Sequence, residues 1–195
     1  MADFTLLTHD GDPDRVATIL PGQGYTADGP LLAYAAAVLR DAGWSLRTFV
    51  WDSGPSGRDE ARETYTRVVR EGLDAAPHAK HLVVGKSLGT LALPVCSLLS
   101  VPGVWITPLV SDQGTVDVRD AALTLHVSGL PTVLAGGSDD PLWDPVVAAK
   151  SGARVVEVAH ADHSLMVPGD WRASLAALGE VTAAVAELAE QVAGS

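Results

Sequence analysis

The stretch His81-Leu82-Val83-Val84-Gly85-Lys86-Ser87-Leu88-Gly89 decides how the rest of the chain is read. A short apolar run of strand character, 81–84, passes without a spacer into Gly85-Lys86-Ser87-Leu88-Gly89, and a hydrophobic segment of helical character follows through Leu98. Gly-x-Ser-x-Gly between a strand and a helix describes a nucleophile elbow. The turn is so sharp that the serine must adopt strained backbone angles, and residues two positions to either side must be small to avoid clashes. Ser87 Oγ is then expected above the carboxyl edge of a sheet, with the N-terminal amides of the segment starting at Leu88 aimed at the same point.

Outward from this elbow, apolar runs of strand length alternate with helical segments, the signature of an α/β protein with a mostly parallel sheet. Strands are expected at 4–9, 16–20, 45–51, 104–109, 131–135 and 154–159, with a turn over Asp10-Gly11-Asp12-Pro13. Helices are expected around Leu31–Leu39, stopped by Gly43, at 59–75 and near 116–123. Trp171, Leu175, Leu178, Val181, Val185, Leu188 and Val192 mark one face of a long C-terminal helix that packs on the sheet. No repeat, linker or low-complexity segment interrupts residues 1–195, so one domain is expected.

A serine hydroxyl is a weak nucleophile and needs a base held by an acid. On a strand–elbow–helix scaffold the order along the chain is Ser, then Asp or Glu, then His. Gly136-Gly137-Ser138-Asp139-Asp140-Pro141 follows one expected strand, and His160-Ala161-Asp162-His163-Ser164-Leu165 follows the last. Both lie past the carboxyl ends of strands, where ligand sites of open α/β sheets form.

With Pro21-Gly22-Gln23-Gly24, these pieces form an ordered set through which the chain resembles the α/β-hydrolase superfamily, particularly small lidless members akin to dienelactone hydrolase. The resemblance implies a compact α/β-hydrolase-like fold without a large cap domain. It implies Ser87 as nucleophile, His163 as general base and Asp140 as the acid of a Gly-x-x-Asp-Pro pattern. Asp139 is the close rival for that acid, and Asp112, after an earlier strand, is a lesser one. The oxyanion hole would comprise the backbone N–H groups of Leu88 and Gln23. No cofactor or metal is implied. Two features depart from the family pattern. Pro21 stands where many members have histidine, and Lys86, beside the serine, is read as pointing away, with a local rise in positive potential as the alternative.

The function expected is hydrolysis of a small carboxylic ester or related acyl compound. The alternatives are acyl transfer or thioester cleavage by the same three residues, or a hydrolase-like fold used only for binding. Other readings fail on spacing. A Walker A loop needs glycine where Lys80 stands. His160 and His163, with Asp162 between them, offer two ligands at loop spacing and no third in view for zinc, so His160 is read as a loop residue and Asp162 as a cap. His9-Asp10-Gly11-Asp12-Pro13-Asp14 lacks the spacing of a calcium loop. Trp143, just past the acid loop, is read either as an acyl-pocket wall or as ordinary packing.

Composition bounds the partners. The 195 residues are 47% hydrophobic, and 24 acids against 13 bases give a net charge of −11. Such a surface repels phosphate backbones and anionic lipid, so neither nucleic acid nor membrane is expected as a partner, and a small-molecule acyl substrate is. Met1-Ala2-Asp3-Phe4 has no basic or apolar signal region, and Cys96 alone cannot form an internal disulfide. A cytoplasmic protein is expected.

Overall fold

The computed structural model describes residues 3–195; Met1 and Ala2, read above for a targeting signal, lie outside them. Seven strands form one sheet in the order β1-β3-β2-β4-β5-β6-β7. They are β1 (Phe4–His9), β2 (Asp12–Leu20), β3 (Trp44–Trp51), β4 (Lys80–Lys86), β5 (Gly103–Ile106), β6 (Thr132–Gly137) and β7 (Arg154–Val158). Only β1 is antiparallel, to β3, and the other neighbouring pairs are parallel. The helices are α1 (Pro30–Asp41), α2 (Arg58–Ala75), α3 (Leu93–Leu98), α4 (Val116–Ser128), α5 (Pro145–Lys150) and α6 (Trp171–Gly194).

A parallel sheet buries both faces, and period-two alternation sends successive side chains of each strand to opposite sides. On β4, Leu82 and Val84 enter a core with Leu32 and Leu39 of α1 and Val181, Val185 and Leu188 of α6. Val83, between them, enters the other core, with Tyr65 and Val68 of α2, Val118 and Ala122 of α4, and Trp105. The chain runs outward from β2 in both directions across the sheet. The carboxyl ends of β2 and β4 therefore meet at a topological switch point, with Leu20 opposite Gly85. That register sets Pro21-Gly22 beside Lys86-Ser87, and crevices at such points are where open sheets bind ligands.

Several local expectations shift. β2 starts at Asp12 rather than Val16, with a register shift between those residues, so the anticipated turn shortens around Asp10-Gly11. β5 ends at Ile106, because Thr107 takes a left-handed φ of 45° that no strand continues through. The segment after the elbow is a 3₁₀ helix, Ser87–Ala92, before α3 proper. α4 extends to Ser128, closed by Gly129 in the left-handed region. α5 was not anticipated; its six residues carry too little periodicity, and Asp144 starts it by accepting from the Val146 and Val147 amides. Along α6 the apolar stripe is buried only in its later part: Val181 to Val192 are buried, whereas Trp171 is 60% and Leu175 58% exposed. No described helix is long and apolar enough to cross a membrane.

Candidate active site

Ser87 sits at the turn with φ 50°, an uncommon angle for a residue with a side chain. Two close approaches explain its flanking glycines. A Cβ on Gly89 would fall 2.2 Å from the Leu20 carbonyl oxygen, and one on Gly85 would fall 2.7 Å from the Gly89 carbonyl oxygen. A side chain at Gly89 would push the turn off the end of β2, and one at Gly85 would spread the turn itself. The Thr90 hydroxyl ties the turn down by donating to the Ser87 carbonyl at 2.6 Å.

From the loop after β7, His163 Nε2 lies 2.7 Å from Ser87 Oγ. From the loop after β6, Asp140 Oδ2 lies 2.8 Å from His163 Nδ1. A carboxylate only accepts, so Nδ1 carries the ring proton and Nε2 is left to accept from the serine hydroxyl. The Asp140 side chain is fully buried while the His163 side chain is 30% exposed. The second carboxylate oxygen is held by the Leu142 amide at 2.9 Å, which fixes the plane of the group. Asp162 caps the histidine loop, its Oδ1 accepting from the amides of Ser164 and Met166.

The structure thus brings Ser87, His163 and Asp140 together and leaves both rival acids outside. Asp139 Oδ2 stands 3.7 Å from the exposed His160 ring. Asp112, with an 89% exposed side chain, pairs with Arg119. Among the described residues no group of three or more His, Cys, Asp or Glu could hold a metal ion.

A cavity of about 320 Å³ opens over the serine, lined by Gln23, Arg58, Ser87, Leu88, Leu109, Leu142 and His163. The Gln23 amide has no partner among the described residues, although Gly22 N–H donates to Tyr25 O in the same loop. The Leu88 amide lies in the first turn of a 3₁₀ helix, where amides lack an intrahelical acceptor. Gly22 lets this loop sit on the elbow, since a Cβ there would meet Ser87 Cβ at 3.2 Å. Gln23 and Leu88 thus both line the cavity that holds Ser87.

Sequence reasoning missed three lining residues. Leu109 and Leu142 follow strands β5 and β6 and carry no signal beyond apolarity. Arg58, at the start of α2, is a lone arginine in a polar loop; one of its nitrogens donates to the Gly114 carbonyl at 2.8 Å. Trp143 resolves to packing: it is buried, its ring covers Gly136, and its Nε1 donates to Glu157 at 2.7 Å. Lys86 departs most from expectation. It does not point away but is 4% exposed, because alternation along β4 sends it to the same side as Leu82 and Val84.

No family model matches the chain, and a search of curated proteins finds no match. Solved structures do match over nearly its whole length. An alpha-beta serine hydrolase homologue from Coxiella burnetii superposes with a TM-score of 0.69 at 14% identity, over 95% of this chain and 91% of that one. A serine hydrolase without a lid from Xanthomonas campestris gives 0.64 at 18% identity, over 94% and 88%. Est1E from Butyrivibrio proteoclasticus, with bound ferulic acid, gives 0.70 at 12% identity, over 98% and 96%. The chain has the α/β-hydrolase fold, in a form without a large cap domain.

Proposed function

We propose that this chain is a serine hydrolase that cleaves small carboxylic esters or related acyl compounds through an acyl-enzyme on Ser87. The observation that carries the reading is the run of two short hydrogen bonds, Ser87 Oγ to His163 Nε2 at 2.7 Å and His163 Nδ1 to Asp140 Oδ2 at 2.8 Å, beside the Gln23 amide, which has no partner among the described residues. Ser87 Oγ attacks the substrate carbonyl while His163 Nε2 takes the hydroxyl proton. Asp140 holds the ring and stabilises the imidazolium. The Leu88 and Gln23 amides receive the tetrahedral oxyanion; donors so placed are worth about 2.7–4 kcal/mol each in transition-state energy. The imidazolium returns its proton to the leaving alkoxide as the C–O bond breaks. Water, deprotonated by His163, then cleaves the acyl-enzyme and restores Ser87.

The 320 Å³ cavity supports a small substrate. Arg58 gives the mouth a local positive charge against the −11 of the chain. A buried, unpaired Cys96 is in keeping with the reducing interior of a cytoplasmic protein. The test is ester turnover across acyl lengths by wild type and Ser87→Ala. The reading expects a maximum at short acyl chains in the wild type and background rates in the variant. Equal rates in the two proteins would remove it.

A further inference from the structure

Among the described residues Lys86 is the one buried lysine or arginine, driven inside by the sheet's alternation at a position where its strand neighbours are Leu82 and Val84. Burying an ammonium is costly, and an apolar residue of similar length would pack there without that cost. The surroundings indicate what the charge does. The stem runs under the loop that carries the Gln23 amide: a Cβ on Gly22 would lie 3.3 Å from Lys86 Cδ. The head stands 4.6 Å from the centroid of the Tyr25 ring, in cation–π geometry. Among the described residues no carboxylate lies within ion-pair distance of it, so the aromatic face is its direct partner.

Tyr25 is in turn fixed to the scaffold at two points. Its carbonyl accepts from Gly22 N–H at 3.1 Å, closing the turn that presents Gln23. Its hydroxyl accepts from the Leu31 amide in the first turn of α1 at 2.9 Å. Gly29 makes room for the ring, since a Cβ there would come within 2.5 Å of it. One contact thus joins the residue before the nucleophile to the loop that supplies the second oxyanion donor.

Resting on the ester-hydrolase reading, we propose that Lys86 is a positioning residue whose protonated head, seated on the Tyr25 ring, sets the Gln23 amide against Ser87. The charged groups facing it are Asp140 from the loop after β6 and Asp162 from the loop after β7. Burial lowers the ammonium's pKa to about 8, despite the opposing pull of those two carboxylates. Turnover should therefore decline as pH rises through about 8, when the head loses its charge and its hold on the ring. The sign for stability is opposite. A cation whose folded pKa lies below its unfolded one opposes folding at neutral pH, and that cost fades as pH rises from about 8 toward the ordinary lysine range. Replacing Lys86 by an apolar residue of equal length should slow the reaction without weakening the fold.

The experiment compares wild type, Lys86→Met, Tyr25→Leu, the double variant and Ser87→Ala. It records kcat and KM for 4-nitrophenyl acetate from pH 6.5 to 9.5, and thermal unfolding at pH 7. Lys86→Met is expected to lose roughly 10–100-fold in kcat, the scale of a displaced oxyanion donor, with KM within about twofold. The wild-type bend near pH 8 should vanish in Lys86→Met, its Tm should equal or exceed that of wild type, and the double variant should be no slower than the slower single one. An unchanged kcat, a surviving bend, a lowered Tm or failure to fold, or multiplying losses would each overturn the inference. A Ser87→Ala rate equal to wild type would instead remove the ester-hydrolase reading, and this inference with it. That outcome is read from a different variant, so the two failures stay separate.

Discussion

Two loops leave the carboxyl edge of the sheet side by side, and each carries an aspartate that the chain order allows as a partner for His163. The loop after β5 turns Asp112 out to solvent and Arg119. The loop after β6 turns Asp140 inward, where its two oxygens meet His163 Nδ1 and the Leu142 amide. The difference does not lie in the acids, which are chemically identical, but in the backbone beneath them. The first loop spends its polar groups supporting the second. Val110 and Ser111 amides donate to the Leu142 carbonyl at 3.1 and 3.0 Å, and the Ser111 hydroxyl donates to the Pro141 carbonyl at 2.7 Å. One loop is a brace and the other a holder, and a holder needs an anchor on its far side. Trp143 supplies it, through its ring over Gly136 and its bond to Glu157 on β7.

The largest break in this comparison is Asp140→Asn. An amide can donate to Nδ1 and so select the wrong imidazole tautomer, and turnover should fall by roughly 10⁴-fold with the fold retained. Steady-state kinetics beside an unfolding curve would check this, and a loss under tenfold would dissolve the distinction between the loops. A smaller effect is expected from Trp143→Phe, which keeps the ring over Gly136 but drops the bond to Glu157. It should cost about 1 kcal/mol in denaturant unfolding and a few-fold in kcat. An unchanged kcat would mean that the holder needs no far-side anchor. The smallest effects belong to Asp139→Asn and Asp112→Asn, whose exposed pairs contribute little. Activity within about twofold of wild type is expected for both, and a hundredfold loss in either would reassign the acid.

Much of this arrangement was legible in the chain, for identifiable reasons. A strand running into Gly-x-Ser-x-Gly leaves few geometries open, and the strand–helix alternation announced a parallel sheet. The order of the Asp and His loops followed from the same scaffold. The choice between Asp139 and Asp140 was not legible from local physics, because adjacent residues in a turn differ only in direction, and direction is set by bonds from Leu142 and Trp143. Lys86 was misread although its cue was present: counting alternate positions from Leu82 puts it inside, but a lysine suggests surface by composition alone. Arg58 and α5 gave no cue. The first reaches the cavity only through the packing of α2, and the second is too short to show a period. Trp171 and Leu175 extended a helical stripe past the point where α6 has a sheet to cover.

The central claim is that the geometry around Ser87 makes its hydroxyl a nucleophile, and covalent capture tests it most directly. Folded protein is incubated with a fluorophosphonate, its intact mass is measured, and the modified peptide is mapped, with Ser87→Ala alongside. The account predicts one adduct per chain, located on Ser87 and absent from the alanine variant. Wild-type protein that labels no better than Ser87→Ala, or labels at another residue, would contradict it.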